Sequence, residues 1–189
     1  MKRAQKDKFE KALTSYFEEI HKIYVAGGFR EESFYSSLKA LIEECSQFFP
    51  LQGEAGVLVQ PKKTEVGIPD FLIRRDGDIT GYIEAKSPDA NLDEAEKSEQ
   101  LKRYRESLPN LILTNFLEFR LYRNGNSVDK VEVGRQSTLE SLKYPPVPEK
   151  LDLFFGLLEK FFSFSTPEIR TSSSLSIELA KKTRFLEHI

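Results

Sequence analysis

The sequence predicts an α/β fold: a mixed β-sheet flanked by helices, with extra helices at the N- and C-terminal ends. Three observations predict it. Apolar residues recur at three- and four-residue spacings near both ends of the chain, which is the helical period. Between them lie short apolar or alternating runs, the strand pattern. Asp76-Gly77 and Asn124-Gly125 each stand between two such runs, and these pairs are strong hairpin signals. A three-strand meander followed by a helix and a further strand suggests a mixed sheet flanked by helices.

The elements follow in order. Phe9, Leu13, Tyr16, Phe17, Ile20 and Tyr24 mark an amphipathic helix over residues 7–25, ended by Gly27-Gly28. A second helix runs from about Glu31 to Phe48, with Phe34, Leu38, Leu41, Ile42, Cys45 and Phe49 on one face; Pro50 and Gly53 close it. Residues 55–60 (AGVLVQ) and 69–75 (PDFLIRR) read as strands. In residues 79–86 (ITGYIEAK), alternation puts Ile79, Gly81, Ile83 and Ala85 on one face and Thr80, Tyr82, Glu84 and Lys86 on the other. Pro88 ends that strand. A polar helix is expected from about Leu92 to Ser107, stopped by Pro109, and LILT at 111–114 reads as a buried strand. Residues 116–133 form two alternating runs joined through Asn124-Gly125. After Pro145-Pro146 comes a Phe-rich helix, about Glu149 to Phe162. Residues 163–174 are rich in Ser and Thr and read as a linker before a last helix, about Leu175 to Glu187. The expected division is a main domain at 1–163 and a linker with connector helix at 164–189. That ending suggests a fragment or a separated module of something longer.

Composition narrows the chemistry. The chain has 189 residues, 28 Lys+Arg and 30 Asp+Glu, a net charge of −2, so it is not a uniformly basic nucleic-acid coat. One cysteine, Cys45, excludes an internal disulfide and a Cys-rich zinc site. The two histidines, His21 and His188, stand near opposite ends, which argues against a Ser–His–Asp site and a two-His metal motif. Any catalysis must then use carboxylates, Lys and Tyr, with or without a hard metal ion. The N-terminus has no apolar run behind its basic residues, and no stretch approaches the roughly 18 apolar residues of a membrane span. A reduced cytoplasm is the expected compartment, with no membrane partner.

One constellation carries that chemistry. Glu84 and Lys86 lie two apart on one strand, and the Asp76-Gly77 turn brings Asp70, in Gly67-Ile68-Pro69-Asp70, back beside them. Two converging carboxylates, with the backbone carbonyl of Ala85, suit Mg²⁺, which takes oxygen ligands and keeps several waters. Such an ion polarises a phosphodiester and lowers the pKa of a bound water; Lys86 would neutralise developing charge or position the water. The competing explanation is a solvated ion pair on a strand and an aspartate in a turn after proline.

On this spacing the chain resembles the PD-(D/E)XK nuclease superfamily, with Asp70, Glu84 and Lys86 as the acidic pair and the lysine. GIPDFLI, GYIEAKSP, KSEQLKRYRESLPNLILTNFLEFRLYRNG and the upstream QPKK look like the N-terminal nuclease domain of single-chain restriction–modification enzymes, type IIG or type I-like, in which an N6-adenine methyltransferase follows. The resemblance covers roughly residues 28–130 and is most specific from Lys97 to Gly125. It implies a restriction-endonuclease-like sheet and a metal-dependent endodeoxyribonuclease that uses Mg²⁺, with Mn²⁺ substituting. The implied substrate is duplex DNA, cut to 5′-phosphate and 3′-hydroxyl ends. The implied partners are methyltransferase and specificity domains in cis or trans, and a second copy paired on DNA.

The resemblance also implies further site residues. A glutamate at the start of the second helix approaches the metal in this family. Glu31, followed by Phe34 and Leu38, fits that pattern and falls in the apolar sector of its helix; Glu32 is the alternative. Gln100 and Tyr104, four apart and on one helix face, match a Gln–Tyr element, with Gln100 toward the metal site and Tyr104 toward a phosphate. Lys62, Lys63, Lys102 and Arg103, with Arg105, are the candidate phosphate contacts. Three other outcomes stay open: a catalytically silent DNA-binding or docking module of the same fold, a nuclease for RNA or single strands, and a purely structural sheet domain.

Overall fold

Helix α1 (Arg3–Ala26) buries Phe9, Leu13, Tyr16, Phe17 and Ile20, the stripe its spacing predicts, and stops at Gly27. The structure is a computed structural model, and it describes residues 1–49, 55–62, 67–141 and 143–164. The expected second helix begins as a tight 3₁₀ turn, Glu31–Phe34, before α2 (Tyr35–Ser46). In that turn the Arg30 N–H donates to the Ser33 hydroxyl at 3.0 Å. The linker and last helix assigned to 164–189 lie, apart from Phe164, outside the described residues.

Six strands form one sheet in chain order: β1 (Ala55–Val59), β2 (Phe71–Arg75), β3 (Asp78–Ala85), β4 (Asn110–Thr114), β5 (Glu118–Arg123) and β6 (Asn126–Glu132). Neighbours are antiparallel except β3 and β4, which are parallel. The sheet is therefore mixed, as the order of elements suggests, and the fold is restriction-endonuclease-like α/β. The crossover is two helices rather than one. α3 (Leu92–Ala95) starts at Asn91, whose Oδ1 accepts from the Asp93 and Glu94 N–H groups, and α4 (Glu99–Ser107) starts at Ser98, whose hydroxyl accepts from Leu101 N–H. Two residues that cap well outcompete continuation of the first helix. A short α5 (Gln136–Leu139) was not foreseen; α6 (Leu151–Phe162) takes the place of the Phe-rich helix.

The sheet separates two apolar layers. On one face α1, α2 and α6 pack Phe9, Phe17, Leu38 and Phe154 against Phe71, Ile83 and Phe119. On the other, α4 places Leu101 and Tyr104 against Leu111, Leu113 and Tyr122. Arg75 ties the β2–β3 hairpin to α2: its guanidinium donates to the Ser46 and Phe49 carbonyls at 2.7 and 2.5 Å, covering the helix's C-terminal end.

The alternation expected along β3 fails near its start, and the failure positions the site. Asp78 and Ile79 pair with Arg75 and Arg74, but the register then shifts by one residue, so that Gly81 pairs with Ile73 and Ile83 with Phe71. The extra residue is a bulge at Thr80. Ile79 is accordingly 37% exposed and Thr80 is buried, the reverse of the expected facing. A two-residue hairpin without the bulge would set Asp70 opposite Ile83, on the face away from Glu84. With the bulge, Asp70 comes opposite Glu84. The fully buried Asn110 holds the bulge by donating from Nδ2 to the Thr80 carbonyl at 2.8 Å and the Phe161 carbonyl at 2.9 Å. Gly81 leaves room for this: a Cβ there would lie 2.6 Å from Phe161 and 2.8 Å from Asn110.

Candidate active site

The acids meet at the C-terminal end of β3, where α2 approaches from one face of the sheet and α4 from the other. Asp70 stands immediately before β2. Its Oδ2 accepts the Ala85 N–H at 2.8 Å, and its Oδ1 accepts the Tyr35 hydroxyl at 2.6 Å. The N–H and C=O of one strand residue leave on the same side, so the Ala85 carbonyl faces this edge too. Pro69, two residues beyond the Phe71–Ile83 pair, lies opposite Ala85 and has no N–H to offer that carbonyl.

Glu84 is 2% exposed. Its Oε1 accepts from Lys86 Nζ at 2.7 Å and from Gln100 Nε2 at 3.0 Å. Its Oε2 is buried and has no hydrogen-bond partner. Lys86 is anchored by its own N–H, which donates to the Thr114 carbonyl at 2.8 Å. Glu31 reaches the group through Tyr35, whose hydroxyl lies 2.9 Å from Glu31 Oε1; Glu32 is exposed. A phenol has one proton, so Tyr35 serves both carboxylates in full only when Glu31 carries a proton of its own.

The electrostatics follow from crowding acids in a partly dry place. Burial, then the nearby Asp70 charge, pushes Glu84 up to about 7, against the pull of Lys86. Burial also raises Glu31, with Tyr35 and Lys86 opposing. Burial works to lower Lys86, but Glu84, Glu31 and Asp70 outweigh it and its pKa is raised, which keeps it cationic at neutral pH. A carboxyl raised above its ordinary 4.5 stabilises the fold in full below that value and loses the contribution as pH rises through about 7. Between about pH 5 and about pH 8.5 in chelator, wild type should therefore lose about 2 kcal/mol relative to Glu84→Gln, read from parallel thermal melts. Added Mg²⁺ should reverse that loss, because a cation favours the ionised form. Parallel melting curves for the two proteins would show that Glu84 is ordinarily ionised.

The donor set fits a hard divalent cation. Two carboxylates and a carbonyl converge, and one buried carboxylate oxygen lacks a donor. Among the described residues no three or more His, Cys, Asp or Glu side chains gather into a cage. Mg²⁺ commonly takes one or two carboxylates plus waters and substrate phosphates.

The remaining expected residues divide. Lys62 and Arg103 are exposed, and Lys102 is exposed but paired with Glu99 at 2.7 Å. Lys63 lies outside the described residues. Arg105 holds the second hairpin, donating to the Gly125 carbonyl at 3.1 Å and covering the Tyr122 ring. Tyr104 is placed otherwise than a phosphate contact requires. It is 1% exposed, packed in the second apolar layer, with its hydroxyl 3.4 Å from Gln100 Nε2 and against Gly67. Gly67 has φ +136°, and a Cβ there would meet that hydroxyl at 2.7 Å. Helical four-residue spacing puts Tyr104 on the sheet-facing side with Gln100, and there packing wins. Sequence reasoning missed Tyr35; its only signal was the position four residues after Glu31.

Comparison with known proteins bears on the fold and on the family likeness. The family described as "Type I restriction enzyme R protein N terminus" matches residues 57–130, the span from β1 to β6 that holds Asp70, Glu84, Lys86 and Gln100. A chain of the cryo-electron-microscopy structure of a DrdV–DNA complex is similar in fold, with a TM-score of 0.61 and 20% identity. The match covers 84% of this chain and 14% of that one, so this chain spans a small part of the length of its structural relative. No curated protein sequence matches the chain.

Proposed function

We propose that this restriction-enzyme nuclease-like domain is the metal-dependent endodeoxyribonuclease domain of a restriction–modification enzyme, hydrolysing phosphodiester bonds of duplex DNA. The observation that carries the reading is Glu84 Oε2, a buried carboxylate oxygen without a donor, on a residue opposite Asp70 and two before Lys86. A buried carboxylate oxygen without a donor costs stability, and a cation bound there would offset that cost. The family match and the DNA-complex relative support a restriction–modification nuclease domain.

Asp70, Glu84 and the Ala85 carbonyl would hold Mg²⁺, with Mn²⁺ as a substitute. When bound, such an ion supplies Lewis-acid polarisation of the phosphodiester and acidifies water. The chain's own residues do the rest. Lys86, held cationic at 2.7 Å from Glu84, offsets the negative charge that develops on the phosphate during in-line attack. Gln100 fixes Glu84 Oε1, which leaves Oε2 for the ion. Lys62, Lys102 and Arg103 supply exposed positive charge for phosphates on the approach, and Lys63 is assigned with them. Tyr104 holds Gln100 and Gly67 in place and touches no phosphate. Recognition domains, the methyltransferase and pairing of two copies on DNA belong to this reading, as does a cytoplasmic location. Among the described residues no helix is long and apolar enough to cross a membrane.

The test is digestion of supercoiled plasmid, single-stranded DNA and RNA in parallel, each with Mg²⁺, Mn²⁺ or chelator. The expected result is nicked plasmid in either metal, leaving 5′-phosphate ends, with the other two substrates intact. Cutting that persists in chelator, or that prefers RNA or single strands, contradicts the reading.

A further inference from the structure

We infer that Tyr35 is a positioning residue that fixes Asp70 for a divalent cation. The inference rests on the reading of Asp70 and Glu84 as the metal site. Tyr35 is buried, and its ring packs on Phe71, the residue after Asp70, with centroids 4.9 Å apart. Its hydroxyl ends between two acids, 2.6 Å from Asp70 Oδ1 and 2.9 Å from Glu31 Oε1.

A buried tyrosine needs only one acceptor, and a backbone carbonyl suffices. Tyr16 shows that ordinary solution, donating to the Phe116 carbonyl at 2.8 Å. Tyr35 instead takes two carboxylates from different parts of the chain, one on the turn before α2 and one before β2. Asp70 consequently has both oxygens held, by a phenol and by the Ala85 N–H, so its carboxylate plane cannot turn. Each held oxygen keeps a lone pair free. The acid is then oriented before the ion arrives, and reorientation does not weigh against binding. The same hydroxyl keeps Glu31 within reach rather than in solvent with Glu32.

The test uses the full chain and Mn²⁺ alone as probe, titrated by calorimetry into wild type, Tyr35→Phe and Asp70→Asn. Phe keeps the ring on Phe71 and removes only the hydroxyl. Tyr35→Phe should weaken Mn²⁺ binding about 10- to 100-fold, the usual effect of removing a group that orients a metal ligand. In plasmid nicking, the Mn²⁺ concentration for half-maximal rate should rise by the same factor, while the rate at saturating metal stays within about threefold. A variant that is merely misfolded would instead lose rate at every metal concentration. Wild-type affinity within about twofold in Tyr35→Phe overturns the inference and leaves the metal site standing. Absence of Mn²⁺ binding by wild type, or binding unchanged in Asp70→Asn, overturns the metal site and this inference with it. If Tyr35→Phe melts early yet binds Mn²⁺ normally below its melting point, the hydroxyl is structural only and the inference fails.

Discussion

Asp70→Ala and Lys86→Ala should each slow Mg²⁺-dependent plasmid nicking by at least about 10³-fold, a transition-state loss of roughly 4 kcal/mol. Asp70→Ala removes an oxygen donor for the ion and also the acceptor of the Ala85 N–H, so both the ion and the end of β3 lose their tie. Among the described residues, Lys86→Ala removes the one cation that touches Glu84 and leaves a buried acid with only Gln100 for support. Gln100→Ala should cost less, about tenfold, because it orients a ligand without meeting the phosphate. The measurement is initial nicking rate at saturating Mg²⁺, with melting temperature as the folding control. Variants that cut as wild type does would remove these residues from the reaction and favour a silent docking module.

Gly81→Val should destabilise the chain by about 3 kcal/mol, which for a domain of this size lowers the melting temperature by about 6–12 °C. The added carbons have nowhere to go, since even a Cβ meets Phe161 and Asn110 at 2.6 and 2.8 Å. Asn110 cannot yield without leaving the Thr80 carbonyl unpaired in the interior. The effect should reach beyond stability. If the strand relieves the clash by losing its bulge, Asp70 slips from Glu84 to the opposite face. Nicking activity below the melting point should then fall with the register, while a surface change such as Ile79→Thr on the same strand leaves both intact. Thermal melts and nicking rates of the two variants, measured side by side, check this. A Gly81→Val protein with unchanged melting temperature would show that the bulge is not packed as described.

Most of the architecture was legible because its signals are local. The stripe of α1, both Asx-Gly hairpins and the buried LILT strand each depend on residues within a few positions of one another. The split between α3 and α4 was readable in principle from Asn91 and Ser98, two good capping residues, but a continuous polar stretch hid it. The bulge at Thr80 was not legible. It depends on Asn110, thirty residues away, and on the end of α6, and strict alternation places Ile79 on the wrong side. The acids and lysine of the candidate site were legible through the resemblance, since their spacing alone fits a solvated ion pair and a turn aspartate equally. The site was less legible in its supports. Tyr104 had the right spacing to share a face with Gln100, yet the face is buried. Tyr35 carries no motif of its own, and only the fold brings it to Asp70.

Whether the pair of acids is a hard-cation site can be read directly by crystallising the chain, soaking it in Mn²⁺ and recording an anomalous difference map. One strong peak is expected among Asp70, Glu84 Oε2 and the Ala85 carbonyl, lost in Asp70→Asn crystals. No peak at this place, or one that persists there in Asp70→Asn, would contradict a hard-cation site.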